Sequence, residues 1–137
     1  MSKHRPIILI VEDDPDSAFI ATQLISRRVE ASYVNSMVTG YSALSWIEEN
    51  PQYTPDLILL DIQIPGEDGY TVLKRLRAHQ GLADTHIVAL TANILSQSVE
   101  RTQQAGFDGF IGKPVDPVRF PEQVRRLLQG EAVWEPR

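Results

Sequence analysis

The 137-residue sequence contains no cysteine, so disulfides and thiolate metal sites are excluded. That fits a reducing compartment, and a cytoplasmic location is expected. No apolar run approaches the roughly 18 residues needed to span a bilayer. The N-terminal "MSKHRP" is basic, but the apolar "IILIV" behind it is too short for a secretion signal and leads straight into acids. An excess of positive charge is also missing. The net charge of −5 disfavours a nucleic-acid partner or an anionic membrane surface, either of which would call for a basic patch. Repeats, low-complexity segments and interdomain linkers are absent too. What remains is an apolar fraction of 42% and a charged fraction of 23%, the balance of an ordinary globular chain of single-domain length.

Five short apolar runs recur: Ile7–Val11, Ala31–Asn35, Leu57–Leu60, His86–Leu90 and Phe107–Ile111. Helix-like segments lie between them, and β-α-β-α alternation predicts a parallel sheet with helices on both faces. "IILIV", "LILL" and "IVAL" are continuous rather than alternating, as strands buried on both faces should be. Asp14 can cap a first helix with Pro15 at its first position, and Ala18, Ala21 and Ile25 share one face of it. Ala43, Leu44 and Ile47 mark a second helix, ended by Asn50-Pro51. Val72, Leu73 and Leu76 mark a third, and Ile94, Leu95 and Val99 a fourth that stops near Gly106. Val124, Leu127 and Leu128 mark a fifth, closed by Gly130. Asp116 is a good cap for it, yet Pro121 would then strain its first turn, so a start nearer Phe120 stays open. The expectation is an α/β doubly wound sheet, and the flavodoxin-like (βα)5 order 2-1-3-4-5 is one common form. Ligands of such sheets sit beyond the carboxyl ends of the strands, at the switch point between the first and third. The final "EAVWEPR", residues 131–137, reads as a tail on a domain of residues 1–130.

Polar residues gather at those carboxyl ends: Glu12-Asp13-Asp14, Asp61, Thr91 and Lys113. Clustered carboxylates repel unless a cation intervenes, and oxygen ligands select a hard ion such as Mg²⁺. A hydroxyl and an ammonium suit a phosphoryl group. An aspartate beside magnesium can attack phosphorus and form an acyl phosphate. Each residue has a plainer reading as well. Asp61 could be a turn or cap residue, Glu12-Asp13-Asp14 a solvated helix start, Thr91 a cap, Lys113 surface charge and Phe110 ordinary core.

Four pieces, "ILIVEDD", "DLILLDIQIPGEDGY", "IVALTA" and "GFDGFIGKPV", occur in order. Through them, residues 6–129 resemble the receiver domain of bacterial two-component response regulators. The resemblance implies the flavodoxin-like fold and a role for each matching position. Asp61 matches the phosphoacceptor. Glu12 and Asp13 match the acidic pair that holds Mg²⁺, Asp13 the more directly, and Gln63 gives a backbone carbonyl to the metal. Thr91 matches the switch hydroxyl and Phe110 the switch aromatic. Lys113 matches the family's lysine, and Lys113-Pro114 a peptide bond that is usually cis. Gln63 and Asn93 match the positions that flank the phosphoryl group and tune hydrolysis. Ile64 departs from the methionine common before the Pro-Gly turn, and neither Gln63 nor Asn93 is acidic.

The expected function is that of a stand-alone response regulator in a phosphorelay, a signalling switch rather than an enzyme. A sensor histidine kinase or histidine phosphotransfer protein would supply the phosphoryl group. A downstream protein would read the face made by the fourth helix, fifth strand and fifth helix, because the last 20 or so residues cannot hold a helix-turn-helix unit. A magnesium-dependent phosphatase of the haloacid-dehalogenase class is the enzymatic alternative. It needs an acid two residues after Asp61, where Gln63 stands. A phosphate-independent scaffold is the third reading, disfavoured by the complete acid, Thr and Lys set. His4, His79 and His86 lack ligand spacing. Trp46 reads as packing, and Trp134 as exposed or a contact residue.

Overall fold

The computed structural model describes residues 5–30, 33–92 and 96–136. His4, Ala31, Asn93, Ile94 and Leu95 lie outside the described residues. The chain alternates β1 (Ile7–Val11), α1 (Pro15–Arg28), β2 (Tyr33–Met37), α2 (Gly40–Glu49), β3 (Leu57–Asp61), α3 (Gly69–Arg77), β4 (His86–Thr91), α4 (Ser96–Ala105), β5 (Gly109–Gly112), α5 (Arg119–Leu128) and β6 (Val133–Glu135). Every strand pairing is parallel, and the sheet order is 2-1-3-4-5-6.

The apolar runs form the sheet because both of its faces are covered. Leu9, Val11, Ile58, Leu60, Ala89 and Phe110 pack toward α2 and α3. Their neighbours Ile8, Ile10, Leu57, Leu59, Val88 and Ile111 pack toward α1 and α5. Such two-sided burial explains the runs that do not alternate. The local caps act as read. Asp14 accepts the Ser17 N–H at 2.9 Å, and Pro15 opens α1. Ala18, Ala21 and Ile25 are its buried face. Asn50 caps α2.

Two boundaries differ from the sequence reading, and a third that it left open is decided. β2 lies later, at Tyr33–Met37, because it is an edge strand and carries no continuous apolar run. β5 begins at Gly109 rather than Phe107; the Phe107 ring instead packs edge-on to Tyr70, with centroids 5.9 Å apart. α5 starts at Arg119, next to Phe120 as the later of the two readings had it, because Asp116 caps the preceding turn, accepting the Val118 N–H at 2.8 Å and the Arg119 N–H at 3.0 Å.

The larger difference is at the C-terminus. Residues read as a tail add a sixth strand, with Val133, Trp134 and Glu135 opposite Gly109, Phe110 and Ile111. Two glycines make room for it. At Gly109 a Cβ would stand 2.7 Å from the Val133 carbonyl, and at Gly112 it would fall on the backbone of Pro136. Val133 is fully buried, which ties the strand down. Among the described residues no helix is long and apolar enough to cross a membrane.

Candidate functional site

Parallel register assembles the site. Val11 lies beside Leu60, so Glu12 follows at the level of Asp61. Asp61 lies beside Leu90, Thr91 beside Gly112, and Lys113 follows next. Four strands from distant parts of the chain thus end together at one edge, where backbone pairing gives way to side chains. Short bonds hold the ends: Glu12 N–H to Met37 O at 2.8 Å, Ile62 N–H to Leu90 O at 3.1 Å and Lys113 N–H to Thr91 O at 2.8 Å. The Lys113–Pro114 peptide is cis, as the resemblance implies. After Asp61 the chain turns through Pro65-Gly66, where Gly66 has a φ of 78°, a backbone that residues with side chains rarely adopt.

The charged groups meet directly. Lys113 Nζ donates to Glu12 Oε1 at 2.7 Å and Oε2 at 3.0 Å, and to Asp61 Oδ2 at 2.8 Å. The Gln63 N–H donates to Asp61 Oδ1 at 2.8 Å. Glu12 and Asp61 are both buried, and Asp13 is half-buried beside them. Each of the three acids offers an oxygen, and these atoms all lie within 4.8 Å of one another. Three carboxylates so close, with no nitrogen or sulfur among them, are a donor set suited to a hard divalent cation such as Mg²⁺.

The acids are not equivalent. Burial pushes Glu12 up to about 7, aided by the Asp61 hydrogen bond and opposed by Lys113. Burial also pushes Asp61 upward, but hydrogen bonds from Glu12, Lys113 and the Gln63 amide outweigh it and hold Asp61 below the ordinary aspartate value. Lys113 rises above the ordinary lysine value, because its two carboxylate partners outweigh the opposing effect of burial. Of the two neighbouring acids, Glu12 is thus shifted toward holding a proton, and Asp61 toward the anion paired with Lys113. An ionised carboxylate at a cleft is the form that can act as a nucleophile.

The remaining predicted residues fall around this centre. Thr91 is fully buried, and its hydroxyl donates to the Gln63 side-chain oxygen at 2.8 Å. Phe110 is fully buried on β5, with Trp134 as its register partner. Asp14 is the N-cap of α1. Trp46 stacks on Tyr33 with centroids 5.6 Å apart, and His79 caps a single 3-10 turn at Gln80–Leu82. Sequence reasoning gave Glu12 to a metal and did not see its bond to Lys113. It also did not see the Gln63 side chain holding Thr91. Both are contacts across the sheet, between residues whose types alone name no partner.

Residues 8–125 match the model of the response regulator receiver domain. The polar-differentiation response regulator DivK of Brucella ovis is 33% identical over 125 residues, covering 91% of this chain and 97% of DivK. The transcriptional regulatory protein BaeR of Escherichia coli is 33% identical over 132 residues, but the chain spans about half (50%) of its length. A solved putative response regulator from Chloroflexus aurantiacus is 30% identical with a TM-score of 0.79, over 92% of this chain and 99% of that one.

Proposed function

The chain belongs to the response regulator receiver family, and on that premise we propose that it is a phosphorylation-dependent switch whose phosphoacceptor is Asp61. One observation carries the reading most: Lys113 joins Asp61 to Glu12 at 2.8 and 2.7 Å, and Asp13 completes a triad of carboxylates around them. A phosphohistidine on a sensor histidine kinase or phosphotransfer protein is the donor. An Asp61 oxygen attacks the phosphorus, the P–N bond breaks, and its electron pair returns to the imidazole nitrogen. Asp13, Glu12, Asp61 and the Gln63 backbone carbonyl would hold Mg²⁺, which supplies positive charge to the phosphoryl oxygens. Lys113 changes partner, from the carboxylate of Asp61 to the phosphoryl oxygens placed there. The Thr91 hydroxyl leaves Gln63 and donates to the phosphoryl group, and buried Phe110 repacks behind it. The face of α4, β5 and α5 then changes its affinity for a downstream protein, a two-state element biased by a local charge.

The action is that of a switch and not of a phosphatase with turnover. Catalytic release would call for an acid two residues beyond Asp61, and Gln63 there is engaged with Thr91 instead. We place the switch in the cytoplasm. Incubation with Mg²⁺ and acetyl phosphate should add one phosphoryl mass to the intact chain, and chelation or Asp61→Asn should abolish the gain. An unchanged wild-type mass, or an equal gain in Asp61→Asn, sinks the proposal.

A further inference from the structure

β6 pairs with the outer edge of β5 and packs against α5, two elements of the face just assigned to output. Its side chains alternate: Val133 and Glu135 point toward α5, and Trp134 packs with the α2–α3 side of the core, next to Phe110. Glu135 is clamped by α5. Arg119 and Gln123 reach its Oε1 at 3.0 and 2.9 Å, and Arg126 reaches its Oε2 at 2.8 Å. Gly109 and Gly112 leave the β5 edge bare of Cβ atoms where the extended backbone lies. Along this edge Val133, Trp134 and Glu135 thus meet, in order, an apolar core, an aromatic neighbour and a cationic clamp, while the backbone pairs as a parallel strand. Backbone pairing along such an edge supplies affinity, and the alternate side-chain pockets supply selectivity.

The resident strand is a short one. It has three residues, Trp134 is only half-buried, and Arg119 and Arg126 of the clamp keep 48% and 35% of their side chains in solvent. It is also tied to the site. β5 carries Phe110, the register partner of Trp134, and Lys113 follows its last residue. A phosphoryl group that draws Lys113 and lets Phe110 repack removes the backing of Trp134.

Resting on the reading that Asp61 is phosphorylated, we infer that the β5–α5 edge is a binding site for an extended partner segment of apolar–aromatic–acidic order. β6 is its resident occupant, and phosphorylation of Asp61 favours exchange of β6 for the partner segment.

The probe is a fluorophore-labelled peptide, acetyl-Glu-Ala-Val-Trp-Glu-Pro-amide, titrated with the full chain and followed by anisotropy. Beryllofluoride with Mg²⁺ should tighten binding at least tenfold over the resting chain, and Asp61→Asn should cancel that gain. Glu135→Gln, which loosens the clamp on β6, should bind the peptide about tenfold tighter with no phosphoryl mimic. A peptide with Lys in place of its second Glu should not bind. Failure of the Glu135→Gln chain to bind, with its circular dichroism native, overturns the strand site. Peptide affinity unmoved by beryllofluoride, in a chain that gains phosphoryl mass from acetyl phosphate, overturns the exchange. A beryllofluoride-induced dimer that takes up no peptide gives the edge to a second copy's β6 and overturns the partner assignment. Absence of any mass gain fells the phosphoacceptor reading instead, and the Glu135→Gln arm still decides the strand site.

Discussion

At Glu12 the folded chain holds a proton that the unfolded chain would release. The folded value of about 7 lies above the ordinary 4.5, so the stability this group contributes is full below 4.5 and is lost as pH rises through 7. The lowered Asp61 and the raised Lys113 shift outside that window, Asp61 below 3.8 and Lys113 above 10.5, and do not tilt it. In Mg²⁺-free buffer, raising the pH from 5 to 8 should therefore lower unfolding free energy by roughly 2 to 3 kcal/mol. Glu12→Gln should flatten that slope in urea titrations, and an unchanged slope in the variant would refute the assignment. Gln63 offers a second test. Its side-chain oxygen competes with a phosphoryl group for the Thr91 hydroxyl. Gln63→Leu removes the competitor, worth about 1 kcal/mol for a neutral hydrogen bond, so beryllofluoride should bind about fivefold tighter. Fluorescence titration measures this, and equal or weaker binding would refute the restraint.

Elements respond to different changes. Asp14→Ala removes the α1 cap and should cost about 1 kcal/mol in chemical denaturation, without altering phosphoryl uptake. Gly112→Ala puts a Cβ onto the Pro136 backbone. It should push β6 off the sheet, cost about 2 kcal/mol as an overpacked contact, and shift Trp134 emission to the red; unshifted emission would show that the C-terminal segment gives way without leaving. The elements also show what a sequence can say. β1, β3 and β4 were legible because burial on both faces demands unbroken apolar runs, and "IILIV", "LILL" and "IVAL" supply them. β2 and β5 were placed less well. Tyr33–Met37 is an edge with polar members, while Gly109 and Gly112 dilute a run to which Phe107 lends false weight. β6 was not legible at all. Three residues carry no period, and the reason they pair, two glycines across the edge and a cationic helix face, exists only after folding.

The whole molecule ties its chemistry to its fold. Glu12, Asp61, Thr91 and Lys113 come from the ends of four different strands, so no part of the sheet forms the site alone. Their convergence at one edge was legible because the apolar runs and the four quoted pieces mark the strand ends; the bonds among them were not, since register decides those. A ligand of this site binds only the folded chain and stabilises all of it. Mg²⁺ at ten times its Kd should add about 1.4 kcal/mol to unfolding and raise Tm by a few degrees in one cooperative transition. Asp13→Asn should erase the shift, and a shift that survives it would place the metal elsewhere. The proton on Glu12 gives this binding a further property. A cation that takes Glu12 as a ligand must first expel that proton, so Mg²⁺ binding should release more hydrogen ion near pH 6 than near pH 8. Calorimetry of Mg²⁺ binding in buffers of unequal ionisation enthalpy should register close to one proton released at pH 6 and almost none at pH 8. Acidification from pH 7 to pH 6 should then weaken Mg²⁺ binding about fivefold, and phosphoryl uptake from a fixed donor should fall with it.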